Sequence, residues 1–477
     1  MKKHALFTLI LPFTAIANTF DCTTEFEWLK TTFENNDAGF EYAVSTKGET
    51  SYESHNAKYR SAVKSSGSAT ECHQQLQGWL SFFRDGYIGI GLNTNDEDAQ
   101  SDMSKIHEFN ELAFSKYLET QKEESWEGIW TFSGYKLALK KEGNDYNAYV
   151  IESSNTSWKK GQIKFTIYGN GNGNGNDKYK VNYYMADHSL RTIDSVSSLD
   201  QNHLVLGKNW LTLSRLNAKT TSAPEVSQYV SLMATRQPLF EVLSNKSVLL
   251  RVPSFDHSFK KDLDKVIKDN LDTILKTENL IIDIRGNGGG SDVSYEEILP
   301  IIYTNPIRTI GLEFLSTTLN NSRMLQFIED DNFSDEDKAW AKESYKKLEN
   351  HLGEFVNLEE DMVTVETFDR IHPLPRNVGV LIDNGNGSTA EQFLLAAKQS
   401  QKVKLFGVTT RGVLDISNMY QTQSPSKRFT LYYSLSKSFR IPEMAIDSKG
   451  IQPDFYIDAN VPVVKWIEHT QKILEAR

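Results

Sequence analysis

The chain has 477 residues, more than one hydrophobic core usually organises, so we expect two or three domains. Hydrophobic residues make up 39% and charged residues 24%, which is typical of a globular protein. The formal net charge of −11 argues against nucleic acid and anionic membrane surfaces as partners. After the N-terminus no apolar run approaches the length of a membrane span, so a soluble mature chain without a membrane span is expected.

The first residues have the pattern of an export signal. Met1 to His4 is positively charged, Ala5 to Ile16 is apolar, and Ala15-Ile16-Ala17 fits a cleavage site between small residues. We therefore expect residues 1–17 to be a signal peptide and the mature protein to be periplasmic or secreted. The small residue that usually precedes a lipid-modified cysteine is missing before Cys22, so a free protein is expected.

Only two cysteines are present, Cys22 and Cys72. Because an exported chain meets an oxidising compartment, we expect them to form a disulfide bond. Closing a loop of that length would stabilise the N-terminal region by about 4 kcal/mol in the chain-entropy model. Two cysteines this far apart do not suit a zinc site.

Apolar residues recur at helical spacing from Phe26 to about Lys122. Between these groups, residues 45–56 are polar and are predicted to be a loop. We expect residues 18–122 to form a helical N-terminal domain. The groups at helical spacing are Trp28, Leu29 and Phe33, then Leu76, Trp79, Leu80 and Phe83, then Ile106, Phe109, Leu112 and Ala113.

From residue 123 the pattern changes to short aromatic and β-branched runs separated by turn residues, which predicts a small antiparallel β module over residues 123–240. Glycine and asparagine alternate over residues 169–176, which predicts a flexible hairpin loop. The tryptophans and tyrosines of residues 126–210 either pack in its core or form an exposed platform for carbohydrate. The runs are Ile129–Leu139, Tyr146–Ile151, Gln162–Tyr168, Tyr179–Tyr184, Thr192–Val196 and Leu204–Leu213.

Strands and helices alternate in residues 241–477, which predicts an α/β core with a parallel sheet and right-handed crossovers. Ser247–Val252 is predicted to be a strand, and the apolar face that runs from Leu263 to Leu275 predicts a helix after it. A further helix is expected to begin at Ser334, either as part of a lid above a site or as a solvated helix with no such role.

Two predicted strands of this core run into glycine-rich turns. Asn279–Arg285 leads into Gly286–Asp292, where three consecutive glycines let backbone N–H groups approach a ligand. We expect Asp283 and Arg285 to be a buried pair that sets this turn. The second strand, Val378–Asp383, leads into Asn384–Gly387 and then Ser388.

Ser388 is predicted to stand where a helix begins. Unpaired N–H groups and the positive end of the helix dipole stabilise negative charge at such a position, which suits a nucleophile. Ser388 with Glu391 three residues later also fits a capping box, which needs no catalysis. The residues of this stretch leave both interpretations open.

Four motifs in this order resemble the C-terminal-processing, or tail-specific, serine protease family, which includes the tricorn core protease. They cover roughly residues 250–457. The resemblance implies a crotonase/ClpP-like α/β catalytic core and an exported serine peptidase that cleaves protein or peptide substrates through an acyl-enzyme, with no cofactor and no metal. The motifs are Leu280–Gly290, Gly387–Glu391, Leu405–Gly412 and Lys449–Asp454.

The resemblance also assigns roles. Ser388 matches the nucleophile, and the backbone N–H groups of Thr389 and of the Gly288-Gly289 turn match the donors to the oxyanion. In the tricorn-like branch a carboxylate precedes the closing motif, and Asp447 is at that position.

The general base is the point where the chain departs from the family pattern. The tail-specific lysine corresponds to Val413, and the tricorn-like histidine corresponds to Tyr87. A tyrosine with an ordinary pKa near 10 is a poor base at neutral pH.

Three explanations follow from this departure. Tyr87 acts as a base of lowered pKa or as a hydrogen-bond relay, with Asp447 or Asp415 nearby. Alternatively the base is Lys437, His257 or His73, each of which is otherwise a surface charge or a satisfied histidine. In the third case hydrolysis has been lost, and the protein is a peptide-binding or scaffolding protein on a protease fold.

Overall fold

The structure is a computed structural model of the chain. It describes residues 21–93, 106–121, 125–169, 179–186, 190–207, 211–216, 220–330 and 334–477, together with residues 188 and 218. The signal peptide expected at residues 1–17 lies outside the described residues. Among the described helices, none combines the length and the apolar composition that a membrane crossing requires.

Helices dominate the N-terminal part and flank the strands of the C-terminal part. They are α1 (Cys22–Asn36), α2 (Phe40–Lys47), α3 (Glu49–Ala62), α4 (Ala69–Leu80), α5 (Glu111–Thr120), α6 (Pro224–Ala234), α7 (Lys260–Ile274), α8 (Leu299–Ile302), α9 (Thr318–Glu329), α10 (Asp335–Glu349), α11 (Thr389–Ala397) and α12 (Trp466–Glu475).

Strands occur in three stretches of the chain. The first stretch contributes β1 (Gly89–Leu92). The second contributes β2 (Gly128–Phe132), β3 (Tyr135–Glu142), β4 (Asp145–Ser153), β5 (Ile163–Gly169), β6 (Tyr179–Tyr184), β7 (Leu190–Ile193), β8 (Val196–Asp200), β9 (His203–Leu206) and β10 (Leu211–Arg215). The third contributes β11 (Leu239–Val242), β12 (Ser247–Arg251), β13 (Asn279–Asp283), β14 (Ile307–Ile310), β15 (Leu312–Leu315), β16 (Phe355–Val356), β17 (Val363–Glu366), β18 (Asn377–Ile382), β19 (Val403–Gly407), β20 (Ile416–Gln423), β21 (Phe429–Ser438) and β22 (Phe455–Tyr456).

The N-terminal helices are held together by a disulfide bond. Cys22 at the start of α1 is bonded to Cys72 in α4, which confirms the predicted pair. The loop predicted for residues 45–56 is wrong, because α2 ends and α3 begins there. Only Tyr52 and Asn56 of α3 are buried, so the polar composition of this stretch reflects a helix that mostly faces solvent.

The N-terminal helices do not pack on themselves alone. Strand β1 pairs with β21 in antiparallel register, with Gly89 opposite Tyr432. Phe33 and Trp79 from the helices lie in one hydrophobic cluster with Leu431 of β21. The N-terminal helices and β21 therefore share a hydrophobic core. This contact fixes the position of the segment that leads into β1.

The second stretch of strands forms a nine-stranded antiparallel sheet in the order β7-β6-β5-β4-β3-β2-β10-β9-β8. This confirms the predicted antiparallel module. The run Ile129–Leu139 is two strands, because Ser133 and Gly134 turn the chain with positive φ angles. The Gly-Asn tract joins β5 to β6, and residues 170–178 lie outside the described part. Trp130 and Trp158 are buried in the core of this sheet, as core packing predicts, and not on an exposed platform.

The C-terminal part is built on a six-stranded sheet in the order β11-β12-β13-β18-β19-β22, in which all strands but β11 run parallel. Strands β13 and β18 are neighbours, and β18 is followed in the sheet by β19. Parallel strands end at the same edge of a sheet, which is where open α/β sheets place their ligands. The turns after β13, β18 and β19 therefore meet, and they contain the glycine-rich motifs.

Helix α10 begins where the sequence predicts. Ser334 caps it and forms a capping box with Asp337. Its inner face packs on α9 through Met324, Ala341 and Leu348. These contacts place the helix in a small hydrophobic cluster, which accounts for its packing. Its role as a lid stays a prediction.

Candidate active site

A buried ion pair stands at the end of β13. The Arg285 guanidinium donates to both oxygens of Asp283 at 2.9 and 2.8 Å, which confirms the predicted strand-end pair. Beside it, Asp383 at the end of β18 accepts the backbone N–H groups of Gly286 and Gly385, each at 2.9 Å. One carboxylate thus holds the two glycine-rich turns against each other.

Ser388 precedes α11 in a strained conformation, with φ 57° and ψ −131°. Its N–H donates to the Val413 carbonyl at 3.0 Å. Positive φ is uncommon for a residue other than glycine and costs free energy that the surrounding structure must supply. The turn and the 409–413 loop therefore hold Ser388 in place.

The capping-box interpretation of Ser388 and Glu391 is wrong. The Ser388 side chain makes no cap bond. The buried Glu391 carboxylate instead accepts the Thr410 hydroxyl at 2.5 Å and the N–H groups of Gly412 and Val413 at 2.7 and 2.8 Å. The Ser388 hydroxyl is consequently not used to cap its helix.

Gly289 lies directly against Ser388. A Cβ at Gly289 would come within 2.6 Å of the Ser388 Cβ and 3.0 Å of its Oγ, and the φ angle of Gly289 is 108°. Only glycine combines this backbone angle with this approach. The glycine-rich turn after β13 therefore packs directly against the serine side chain.

The oxyanion donors expected from the sequence need one correction. The Gly289 N–H already donates to Asn287 Oδ1 at 2.9 Å, so it is not a free donor. Within the described residues, the N–H groups of Gly288 and Thr389 have no hydrogen-bond acceptor. The Thr389 hydroxyl donates to the Gly290 carbonyl at 3.0 Å and so ties the two turns together.

Through Tyr87, the N-terminal part of the chain contacts this site. Its phenol Oη donates a hydrogen bond to Ser388 Oγ. Its carbonyl accepts from the Arg84 guanidinium at 3.3 Å and from the Ser434 hydroxyl at 3.2 Å. Because Ser434 belongs to β21, the pairing of β1 with β21 sets the position of this tyrosine.

The pKa of the Tyr87 phenol is raised above its usual value. Burial is the largest cause, and the charges of Glu391, Asp292 and Asp447 act in the same direction, against the hydrogen bond with Ser388. The expectation of a tyrosine base with lowered pKa is therefore wrong. At neutral pH Tyr87 is a neutral hydrogen-bond donor.

Residues 246–457 match the family described as Peptidase family S41. This core belongs to peptidase family S41. The core is accordingly that of a serine-type peptidase of the tail-specific group. No curated protein sequence matches the chain.

Solved structures similar to the chain show the same fold at low sequence identity. The crystal structure of mature CPAF is 12% identical with a TM-score of 0.52, covering 95% of this chain and 96% of that one. The structure of mature CPAF complexed with lactacystin is 13% identical with a TM-score of 0.50, covering 96% and 98%. At these identities the likeness is one of fold, and it extends over nearly the whole chain.

The motif resemblance predicts that Val413 corresponds to the lysine of the tail-specific peptidases. It is packed between two glycines of the site, because a Cβ at Gly86 would overlap its side chain and one at Gly387 would lie 2.6 Å from its Cγ2. The Val413 carbonyl accepts the Ser388 N–H. This side chain therefore adjoins the Ser388 turn but has no group that accepts a proton.

The motif resemblance predicts that Asp447 corresponds to the carboxylate of the tricorn-like branch. Its carboxylate accepts the N–H groups of Leu414 and Asp415 at 2.7 Å and of Ile416 at 3.2 Å. Burial is the largest influence on its pKa, which is raised. Within the described residues Asp447 makes no hydrogen bond to Tyr87, so its catalytic role stays a prediction.

The other candidate bases are engaged elsewhere. His73 bonds to the Ile90 carbonyl at 2.7 Å, as a satisfied histidine would. Lys437 pairs with Glu313 at 3.4 Å and lies 3.6 Å from the centroid of the Phe355 ring. His257 is exposed in a short helical turn before α7. The hydrogen bond to Ser388 comes from Tyr87.

Sequence reasoning missed Asp292, which follows the glycine-rich turn. Burial raises the pKa of its carboxyl, against the Thr389 hydroxyl and the charge of Arg440, and the charge of Asp292 in turn raises the pKa of the Tyr87 phenol. The signal in the sequence is the acidic residue that directly follows Gly288-Gly289-Gly290-Ser291.

Proposed function

We propose that the protein is an active serine peptidase that cleaves protein or peptide substrates through an acyl-enzyme at Ser388. The observation that carries this proposal is the strained backbone of Ser388, with its hydroxyl bonded to Tyr87 and not to its own helix. Strain of this kind persists where the surrounding structure determines it, and it is common at active sites. A cap needs no such conformation.

In the proposed reaction, Ser388 Oγ gives up its proton to water as it attacks the carbonyl carbon of the substrate, and the electron pair of the C=O bond moves to the oxygen. The N–H groups of Gly288 and Thr389 donate to this oxyanion, and the positive end of the α11 dipole adds to the stabilisation. Neutral Tyr87 donates to Oγ and thereby favours the developing serine alkoxide. We also propose that the α/β core has the crotonase/ClpP-like arrangement.

A test of this proposal is covalent labelling of the purified protein that lacks residues 1–17. We expect a fluorophosphonate to form one adduct, detected by intact mass, that is absent from Ser388→Ala. Ser68→Ala is the matched control, because Ser68 is an ordinary helix cap that accepts the Glu71 N–H. Lactacystin, which is bound in a structure of mature CPAF, is a second probe.

The second candidate function is peptide binding without hydrolysis. It is favoured by Val413 and Tyr87, which correspond to the lysine and the histidine that act as bases in the two branches of the family. The valine cannot accept a proton, and the raised pKa of the Tyr87 phenol makes it a poor base at neutral pH. A folded protein that takes no label, beside a hydrolase that is labelled under the same conditions, would support this candidate and contradict the first.

The proposal also places the protein outside the cytoplasm, in the periplasm or secreted, after removal of residues 1–17. The Cys22–Cys72 bond is compatible with an oxidising compartment. We expect the intact mass of the exported protein to correspond to a chain that begins at Asn18 and lacks the two thiol hydrogens. A mass that retains the leader, or two free thiols under non-reducing conditions, would contradict this.

A further inference from the structure

The backbone of Val413 is bonded to the start of α11 through both of its polar groups. Its carbonyl accepts the Ser388 N–H at 3.0 Å, and its own N–H donates to the Glu391 carboxylate at 2.8 Å. The Glu391 N–H in turn donates to the Ser388 carbonyl at 2.8 Å. Three hydrogen bonds therefore join Ser388, Val413 and Glu391 in a closed ring.

The Glu391 carboxylate is the side-chain group of this ring, so the residue type at position 391 decides whether the ring closes. The same carboxylate accepts the Gly412 N–H at 2.7 Å and the Thr410 hydroxyl at 2.5 Å. Glu391 is fully buried, with an exposed fraction of 0%. A buried N–H group that loses its acceptor is costly. Without this carboxylate the 409–413 loop therefore has to move toward other acceptors.

Ser388 depends on this loop for its conformation. Its φ of 57° and ψ of −131° cost free energy, and such a backbone persists only where its surroundings determine it. When the Val413 carbonyl moves, the Ser388 N–H loses its acceptor. The relaxed alternative is an ordinary N-cap, in which the hydroxyl accepts an N–H of its own helix, as Ser68 does at α4. A hydroxyl used in that way gives up the bond with Tyr87.

We infer that Glu391 is a positioning residue for the nucleophile: its carboxylate holds Val413, and Val413 holds Ser388 in the conformation that meets Tyr87. Glu391 acts through the loop and not on the reacting atoms. The three groups that face its carboxylate are all donors, so an acceptor-only side chain is required. This inference rests on the proposed function, in which Ser388 is the nucleophile.

The test measures fluorophosphonate labelling over a range of probe concentrations, which separates probe binding (KI) from the rate of bond formation at saturation (kinact). Glu391→Gln keeps the size of the side chain but turns an amide N–H group toward backbone N–H groups. A displacement of about 1 Å costs about 100-fold in rate, so kinact should fall by about 100-fold while KI stays within a few-fold of the wild type. Glu391→Asp keeps the carboxylate on a shorter side chain, and its kinact should lie between the two.

Glu127→Gln is the matched control. Glu127 is another buried glutamate, and it accepts the Lys141 N–H at 2.9 Å and the Tyr117 hydroxyl at 3.0 Å in the β module. Its replacement should lower the melting temperature and leave kinact of the folded protein unchanged. Thermal unfolding of every variant gives the folded fraction to which kinact refers.

The outcomes separate this inference from the proposed function. A folded Glu391→Gln with the wild-type kinact overturns the inference while labelling of Ser388 stands. If that variant does not fold, the wild-type kinact in Glu391→Asp overturns it instead. An equal loss of kinact in Glu127→Gln also overturns it, because the loss would then follow from any buried carboxylate. Failure of the wild type to label overturns the proposed function and this inference together.

Discussion

Gly289→Ala should abolish most of the reactivity of Ser388 while the protein remains folded. The new Cβ would meet the Ser388 Cβ at 2.6 Å and the Gly387 carbonyl oxygen at 2.9 Å, and the φ angle of 108° disfavours any side chain. Because both contacts lie in the nucleophile turn, the strain is released by moving Ser388. A displacement of about 1 Å costs about 100-fold in rate, so we expect at least that loss.

The neighbouring Gly288 provides the control. A Cβ there would have only the Gly385 carbonyl oxygen near it, at 4.0 Å, and its backbone does not require positive φ. Because alanine keeps the backbone N–H group that the proposed oxyanion hole uses, Gly288→Ala should label with a fluorophosphonate at a rate within a few-fold of the wild type. Equal labelling rates for the two alanine variants, with equal melting temperatures, would show that Gly289 does not position the serine.

Arg84→Met is expected to destabilise the protein by about 3 kcal/mol or more and to release Tyr87. Arg84 pairs with the fully buried Asp37 through two bonds of 2.7 and 2.5 Å. Removal of one partner of a buried pair leaves an uncompensated charge. The same guanidinium also donates to the carbonyls of Gly86 and Tyr87, so the loop that positions the phenol loses its support.

Urea unfolding monitored by tryptophan fluorescence measures this loss, and labelling of the folded fraction measures the effect on Ser388. Arg60→Met is the matched control, since Arg60 pairs with Glu27 at the surface, where both side chains are about half exposed. Surface pairs contribute at most about 1 kcal/mol. A cost for Arg84→Met as small as that for Arg60→Met would refute the anchoring role.

Local sequence patterns were sufficient to predict the secondary structure around the site. The strands before both glycine-rich turns, the helix after Ser388 and the Asp283–Arg285 pair could be predicted, because each depends on residues close in sequence. The conformation of Ser388 could not, since a capping box and a strained serine have the same residue pattern and differ in the sign of φ. In that conformation Ser388 contacts Gly289 and Val413, which are remote in sequence.

The contact between Tyr87 and Ser388 spans 301 positions of the chain. Alignment of motifs pointed to Tyr87, but neither the hydrogen bond nor its direction follows from sequence, because both depend on the pairing of β1 with β21. Helix α3 shows the opposite limit: the sequence predicts a loop over residues 45–56, which include the first part of this helix, because few of its residues face the core. Asp292 was missed because its neighbours in space come from other turns.

The pairing of β1 with β21 also determines when the site can form during synthesis. A ribosome makes residues 429–438 after Ser388, and without that strand the segment of Tyr87 lacks the pairing of β1 with β21 and the bond from the Ser434 hydroxyl. Tyr87 is thus synthesised early but reaches its place in the site only after β21 has been made. The serine remains without its phenol partner until nearly the whole polypeptide has emerged, so nascent chains in the producing cell carry no assembled site.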